Sequence, residues 1–453
     1  MSAPHTPSPT STAGNPILPG LGACDPHIHI FGDRAYLYAS HDKAPRNDRF
    51  IMEDWWVWSS ADLVNWRHEC TIHPEQTYIA RPFDGCWATD AAERDGKYFF
   101  YFSEANRRTG VLVGDSPAGP WRDPLGRPLL TGDEAPTHPY DACVFVEADG
   151  AAYIIFGVWD YHIARLGDDL VSLAEKPRRL EITDPWGPYG PGKTDDKPSL
   201  HRHGDVYYLS WGCFYATGAS PYGPFQFRGC VLQDSSFHDG TAAPTWPHGY
   251  RQGRHGSFFA WHGQTYFAYC DISQTGNRYF RDTFISYVHH HADGRIAPVR
   301  VDLTGVGRYD AARGPIQAED YFRAEHCEKL ELPLGGFGVR GADGARLHYP
   351  NLHGLAGQRS LTLAYLGLAQ EPAAAELELV FSRENTPQTV IPVRLPAVPR
   401  FRPASLPVDL DLPPGVDALT VRFGKNSAAI ALDAFTFSAR SVSELSPPAL
   451  FAG

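Results

Sequence analysis

Four aspartates and one histidine stand at matching places in this chain: Asp25, Asp90, Asp141, Asp196 and His255. Each opens a short apolar stretch that runs into a tight glycine turn and then into alternating aromatics. Carboxyl groups gathered from distant points of a chain are the equipment for hydrolysing a glycosidic bond. One protonates the leaving oxygen, a second activates water or attacks, and a third tunes and orients the proton donor. Asp25, Asp141 and Asp196 suit those roles by position, with Asp90 in a structural or substrate-binding role beside them. A single Asp at a strand start ordinarily makes a turn or a cap. Several at equivalent positions of a repeat call for a shared destination.

The elements that must carry them are hairpins. HIHIFGDRAYLYAS (27–40), TDAAERDGKYFFYFS (89–103), DACVFVEADGAAYIIFG (141–157), KPSLHRHGDVYYLSWG (197–212) and GSFFAWHGQTYFAYC (256–270) repeat one pattern, with turns at Gly32, Gly96, Gly150, Gly204 and Gly263. A hairpin repeat of this length is the signature of a propeller blade. Second hairpins follow four of the repeats, at 55–72, 109–123, 214–232 and 281–301; residues 160–180 match more weakly. Two hairpins per unit predict a five-bladed β-propeller over residues 21–310, its innermost strands aiming the acids into one central funnel. After IQAEDYF (316–322) the pattern changes to short alternating strands, which predict a separate β-sandwich over 316–441. Residues 1–20 read as a disordered lead and 442–453 as a loose tail. The fold class is all-β.

Composition narrows the partners. The net charge of −12 argues against a nucleic-acid surface, and acids in a cleft suit a neutral carbohydrate substrate. No apolar run approaches a membrane span. As written, the N-terminus lacks the basic and apolar regions of a signal peptide, so the expectation is cytoplasmic, or periplasmic or secreted if the start is trimmed or misassigned. The eight cysteines form no CxxC and several sit in apolar strands, as reduced core thiols do. His27 and His29 share one strand face at a zinc-ligand spacing without a third ligand nearby, so buried hydrogen-bonded histidines are expected there; the HHH run at 289–291 reads as solvated. The tryptophans from Trp55 to Trp261, Trp246 among them, are mostly expected as core between blades. Trp87, Phe214, Trp186 and Tyr189 lie where they can line a sugar pocket.

The first 310 residues resemble glycoside hydrolase family 43. The matching stretches are Asp25-Pro26 with FGDRAYLYASHD, SSADLVNW (59–66), CWATDAAERDGKYFFYFS, YDACVFVEADGAAYIIFG, DKPSLHRHGDVYYLSWG and RHGSFFAWHGQTYFAY. The resemblance implies an inverting enzyme. Asp25 takes the general-base place, Asp141 the place that modulates and orients the acid, and Asp196 the general-acid place. His255 takes the place of a central histidine, often beside a hydrated calcium ion; that ion would be structural, and the chemistry needs no cofactor. There are departures. Where the family has Glu in a Glu-Gly-Pro or Glu-Ala-Ser context, this chain has Asp196-Lys197-Pro198, with Asp195 adjacent. Strand alternation lets only one of Asp195 and Asp196 point inward, and Lys197 reads as a partner for one of the acids. A family arginine is replaced by Cys270-Asp271, leaving Arg278 or Arg281 as substitutes, with Arg278 placed in the substrate site. The C-terminal segment resembles carbohydrate-binding module family 6 at IQAEDYF and LDAFTF (432–437). The expected function is an inverting exo-glycosidase releasing terminal L-arabinofuranose or D-xylose. The alternatives are a galactosidase or galactofuranosidase on the same scaffold, and a non-catalytic carbohydrate-binding propeller.

Overall fold

The computed structural model describes residues 10–11, 14–243 and 254–445. Trp246 and parts of the expected lead and tail lie outside the described residues. The chain forms two compact units. The first holds most of the chain up to Gly305; the second holds Val306 onward together with Trp261–Gln264 and His289–Arg295.

The first unit is the five-bladed propeller. Blade 1 is built from Ala23–Phe31, Arg34–His41, Trp55–Ser60 and Asn65–Ile72; blade 2 from Cys86–Arg94, Lys97–Glu104, Arg108–Gly114 and Trp121–Arg122. Blade 3 has Cys143–Val146, Ala152–Phe156, His162–Arg165 and Arg178–Arg179; blade 4 has Pro198–His203, Val206–Trp211, Phe214–Gly218 and Phe225–Cys230. All five repeat glycines have positive φ, from 58° at Gly204 to 86° at Gly150. That conformation lets a short loop reverse the chain without splaying a twisted strand pair.

Blade 5 departs from the sequence reading. It has three strands, Gly256–Trp261, Gln264–Asp271 and Asp282–Val288, and the expected partner strand within 289–301 does not form. The N-terminal segment takes the outer place instead. Ile17 N donates to Thr283 O at 2.9 Å, and Asn15 bonds Ile285 through both its amide nitrogen and its oxygen. Thr10–Ser11 pairs with the outer strand of blade 1. So the end of the expected disordered lead is ordered, because blade 5 has an open edge for it and Ile17 and Leu18 bury their side chains there.

Aromatics fill the blades, as expected. Trp55, Trp58, Trp66 and Trp211 are fully buried, each worth a few kcal/mol of apolar burial, about 2–3 on the usual scale. All eight cysteines are free thiols, five of them buried.

The second unit is a nearly closed β-sheet domain. Its long sheet runs in the order Thr386–Leu395, Ala375–Arg383, Ala418–Phe423, Phe337–Tyr349, Ile430–Ser438, Ser360–Gly367 and Pro403–Asp409. Inward residues such as Leu363, Leu379, Val421 and Phe435 form its core. Here His289 is partly buried and bonded to Asp320, so the HHH run is not simply solvated.

Candidate active site

The three acids meet. Asp25, Asp141 and Asp196 line one pocket of about 180 Å³, together with Asp195, His255, Arg281, Phe50, Met52, Trp87, Asn106, Tyr140 and Tyr189. The blades deliver them through backbone distortion. The pairing register of the first hairpin slips between Cys24 and His27, and Asp25 sits at φ 47°. A residue before proline is ordinarily extended; here the bulge frees Asp25 and Pro26 from the ladder and turns the carboxyl inward. Asp141 has φ 54° and Lys197 φ 48°. Left-handed conformations of this kind are strained in residues other than glycine and gather at functional sites.

Asp25 is held on every side. Arg281 Nη1 lies 2.8 Å from Oδ1, Ser40 Oγ donates to Oδ2 at 3.1 Å, and its backbone N donates to Cys270 Sγ at 3.0 Å. Arg281 is fixed in turn by Asp42, 3.0 Å from Nε. Burial works to raise the Asp25 pKa, but Arg281 and then His255 outweigh it and hold the carboxyl well below its ordinary value. The substitute arginine is therefore Arg281. Arg278 is exposed, lies against Tyr279 and is no part of the pocket wall. It falls in the loop beyond the inner strands, whereas Arg281 leads directly into Asp282–Val288.

His255 stands between the acids. Nδ1 is 3.5 Å from Asp25 Oδ1; Nε2 is 2.7 Å from Asp196 Oδ1 and 3.7 Å from Asp195 Oδ2. Burial works to lower its pKa, yet the carboxylates of Asp196, Asp195 and Asp25 push it well above the ordinary histidine value. Asp141 moves up through burial and then the charge of Asp196; Asp195 moves up for the same reasons. Both Asp195 and Asp196 face the pocket, contrary to the alternation argument. The strand begins only at Pro198, so the two acids sit on non-strand backbone where alternation does not apply. Tyr140 OH lies 3.5 Å from Asp196 Oδ2.

Of the other expected residues, Trp87 lines the pocket and meets Tyr140 edge to face at 6.0 Å. Phe214 does not line it; Phe214 is buried in the blade core, because it starts the third strand of its blade, away from the axis. Trp186 is half exposed and outside the pocket, leaving Tyr189 of the same loop to line it. Asp90 is completely buried and does not line the acid pocket. His27 Nδ1 and His29 Nε2 each donate to its Oδ1 at 2.6 Å, and the backbone N of Ala91 and of Val144 donate to its two oxygens. Asp90 is thus the third member missing from the HIH motif, supplied by the neighbouring blade. Phe50, Met52, Asn106 and Tyr140 were missed by the sequence reading. Only Tyr140, next to Asp141, carried a positional signal.

The profile of Glycosyl hydrolases family 43 matches residues 13–296. The chain belongs to this family. It is a glycoside hydrolase. A xylosidase/arabinosidase of Bacteroides ovatus is 27% identical over 62% of this chain and 96% of its own length. A β-D-galactofuranosidase of Aspergillus niger is 30% identical over 66% and 89%. Among solved structures, a family 43 β-xylosidase/α-arabinofuranosidase from a compost metagenome, in complex with xylotriose, aligns at TM-score 0.54 and 27% identity over 65% of this chain and 99% of that one. An arabinoxylan arabinofuranohydrolase of Bacillus subtilis aligns over 94% of this chain and 97% of its own at TM-score 0.56 and 23% identity, a likeness of fold.

The calcium ion associated with this family 43 position does not fit the residues present. Asp141, Asp196 and His255 bring ligand atoms within 4.8 Å of one another. Calcium, however, asks for about six to eight oxygen ligands. His255 offers nitrogen, and both its ring atoms already face carboxylates. His255 is better read as a partner of the acids than as an outer ligand.

Proposed function

We propose that this family 43 enzyme is an inverting exo-glycosidase that releases a terminal L-arabinofuranosyl or D-xylosyl residue. The carrying observation is that Asp25 and Asp196 face one small pocket from opposite nitrogens of a single imidazole. Those two contacts bound the facing carboxylate oxygens at about 8.5 Å or less, a limit that admits the roughly 6.5–9.5 Å inversion uses to leave room for water. Asp25, kept ionised by Arg281, is the general base. Asp196, partly exposed beside Tyr140, is the general acid. Asp141, with a carboxylate oxygen within 4.8 Å of it, is the group that orients and tunes it. Acid, base and water complete the reaction without a cofactor. A pocket of about 180 Å³ walled by Trp87, Tyr140, Tyr189 and Phe50 suits one sugar ring, which supports exo action. Relatives named as xylosidases, arabinosidases and arabinofuranohydrolases support the sugar class. The relative from Aspergillus niger supports galactofuranose as the second reading.

The test is a panel of aryl α-L-arabinofuranoside, β-D-xyloside and β-D-galactofuranoside assayed with wild type and Asp25→Asn. One of the first two is expected to turn over with inversion seen by NMR, and the variant to lose about 10³-fold in kcat/KM. Turnover of the galactofuranoside alone selects the second reading. Binding without turnover by wild type, or retention of configuration, overturns the mechanism.

A further inference from the structure

The aromatic wall of the acid pocket does not end at Tyr189. Among the described residues of the propeller, the exposed large apolar side chains are Val146, Trp159, Trp186 and Tyr189. Trp159 stands in the turn between Ala152–Phe156 and His162–Arg165 of blade 3. Tyr189 is at the tip of a small hairpin, Trp186–Gly187 against Gly190–Pro191, and lines the pocket. The two rings meet edge to face, their centroids 6.2 Å apart at 75°. Trp159 is not part of the pocket wall itself, so it lies one ring further out.

Two features set Trp159 apart from an ordinary surface residue. Its φ is 65°, an outlier for a bulky side chain and a source of strain that gathers at functional sites. Half of the residue is nevertheless exposed, so burial of the indole does little to offset that strain. The ring is held in place: Lys193 Nζ stands over its face, 5.4 Å from the centroid. The turn is also tied to the catalytic segment. The backbone N of Trp159 donates to Asp195 O at 3.4 Å, and Tyr161 OH donates to the same oxygen at 2.7 Å.

That tie decides which side of the scissile bond the aromatics serve. The general acid gives its proton to the leaving oxygen, so the rest of the substrate leaves the pocket on the side of Asp196. Trp159 and Tyr189 belong to that side, whereas Asp25 meets the opposite nitrogen of His255. We propose that Trp159 and Tyr189 form a platform for the sugar unit next to the one released, so that the substrate is a neutral oligo- or polysaccharide rather than a small glycoside. An aromatic ring takes the apolar C–H face of a sugar, which needs no countercharge. The proposal rests on the reading of Asp196 as the general acid, but binding tests it without turnover.

The full chain is assayed on the aryl glycoside that it turns over and on a trisaccharide ending in the same sugar, xylotriose for a xyloside or arabinofuranosyl-xylobiose for an arabinofuranoside. In Trp159→Ala the ratio of kcat/KM on the trisaccharide to that on the aryl glycoside is expected to fall at least about fivefold, through KM. Trp159→Tyr, which restores a ring, is expected to recover most of it. Trp186→Ala, which removes an equally exposed indole from the neighbouring hairpin, is expected to keep the wild-type ratio. Calorimetry of the trisaccharide with Asp196→Asn gives a Kd in the absence of turnover, and adding Trp159→Ala is expected to weaken it about fivefold. An unchanged ratio or an unchanged Kd in the Trp159→Ala background overturns the proposal, as does an equal loss from Trp186→Ala. A wild type that turns over no glycoside sinks the hydrolytic reading, while calorimetry of both trisaccharides with wild type and Trp159→Ala still decides whether the platform binds sugar.

Discussion

The two ends of the propeller axis use the same residue types to opposite purposes. At the strand-start end, four aspartates crowd one imidazole, and several of them face one another without a full set of donors. Further along the same strands, a larger cavity of about 560 Å³ is lined by His27, His29, Asp90 and His201. There a single aspartate is saturated by two imidazoles and two backbone N–H groups. One pairing of histidine with aspartate is settled by donors to the carboxylate. The other is a contest for protons, which like charges in a dry pocket create. This end, satisfied at its aspartate, is a brace tying blade 1 to blades 2 and 3.

The largest effects belong to the contested end. Asp196→Asn is expected to lower kcat/KM on natural or alkyl glycosides by about 10³-fold, but by only about tenfold on aryl glycosides whose phenols leave without a proton. Asp195→Asn is expected to lose less than about tenfold on both, with no dependence on the leaving group. Steady-state kinetics across leaving groups checks this, and the reverse pattern assigns proton donation to Asp195.

At the satisfied end the cost moves from rate to stability. Asp90→Ala strands two imidazoles and two backbone donors in the interior, and removing one member of such a buried set costs about 3–5 kcal/mol. Urea unfolding should show that loss, while kcat/KM measured well below the transition changes by less than about threefold. A tenfold fall in kcat/KM with unchanged stability would place Asp90 in the chemistry instead.

The two ends also differ in the sign of their pH dependence. Burial lowers His27 to about 4. Between about 6.5 and 4 the unfolded chain takes up a proton there that the folded chain refuses, so stability falls as pH drops through that window. His255 is shifted upward by its carboxylates, so its contribution is whole below about 6.5 and is lost as pH rises through its folded pKa. His27→Gln is expected to flatten the acid side of the stability curve and His255→Gln the alkaline side, measured by urea unfolding from pH 4 to 9.

What was legible in the sequence follows the same division. The repeat exposed the blades, since a hairpin with glycine at its turn is a local event, and it exposed Asp25, Asp141, Asp196 and His255, whose positions share a direction; Asp90, inside the strand Cys86–Arg94, does not share it. Partners that arrive from another blade or a loop had no such mark. Arg281 against Asp25, Asp90 beneath His27 and Phe50 in the pocket wall each depend on how blades close around the axis. Alternation also misled where no strand existed, at Asp195 and Asp196. The ordered segment around Asn15 and Ile17 was invisible for a related reason: its polar, proline-rich composition says nothing of the open edge it fills.

The smallest effects fall on the aromatic rim, where the comparison narrows to two residues of one loop. Tyr189 and Trp186 are both well exposed, at 42% and 49%, so exposure does not separate them. Position does: Tyr189 lines the acid pocket, whereas Trp186 contributes its backbone oxygen to the Trp211 indole, 3.1 Å away. An aromatic face against a sugar ring is worth about 1 kcal/mol. Tyr189→Ala should therefore raise KM about fivefold with kcat nearly unchanged, and Trp186→Ala, which leaves its backbone bond intact, should change either by less than about twofold. Equal effects from the two substitutions would mean that the loop closes over the sugar as a unit, and that the pocket wall extends to the larger, more exposed ring.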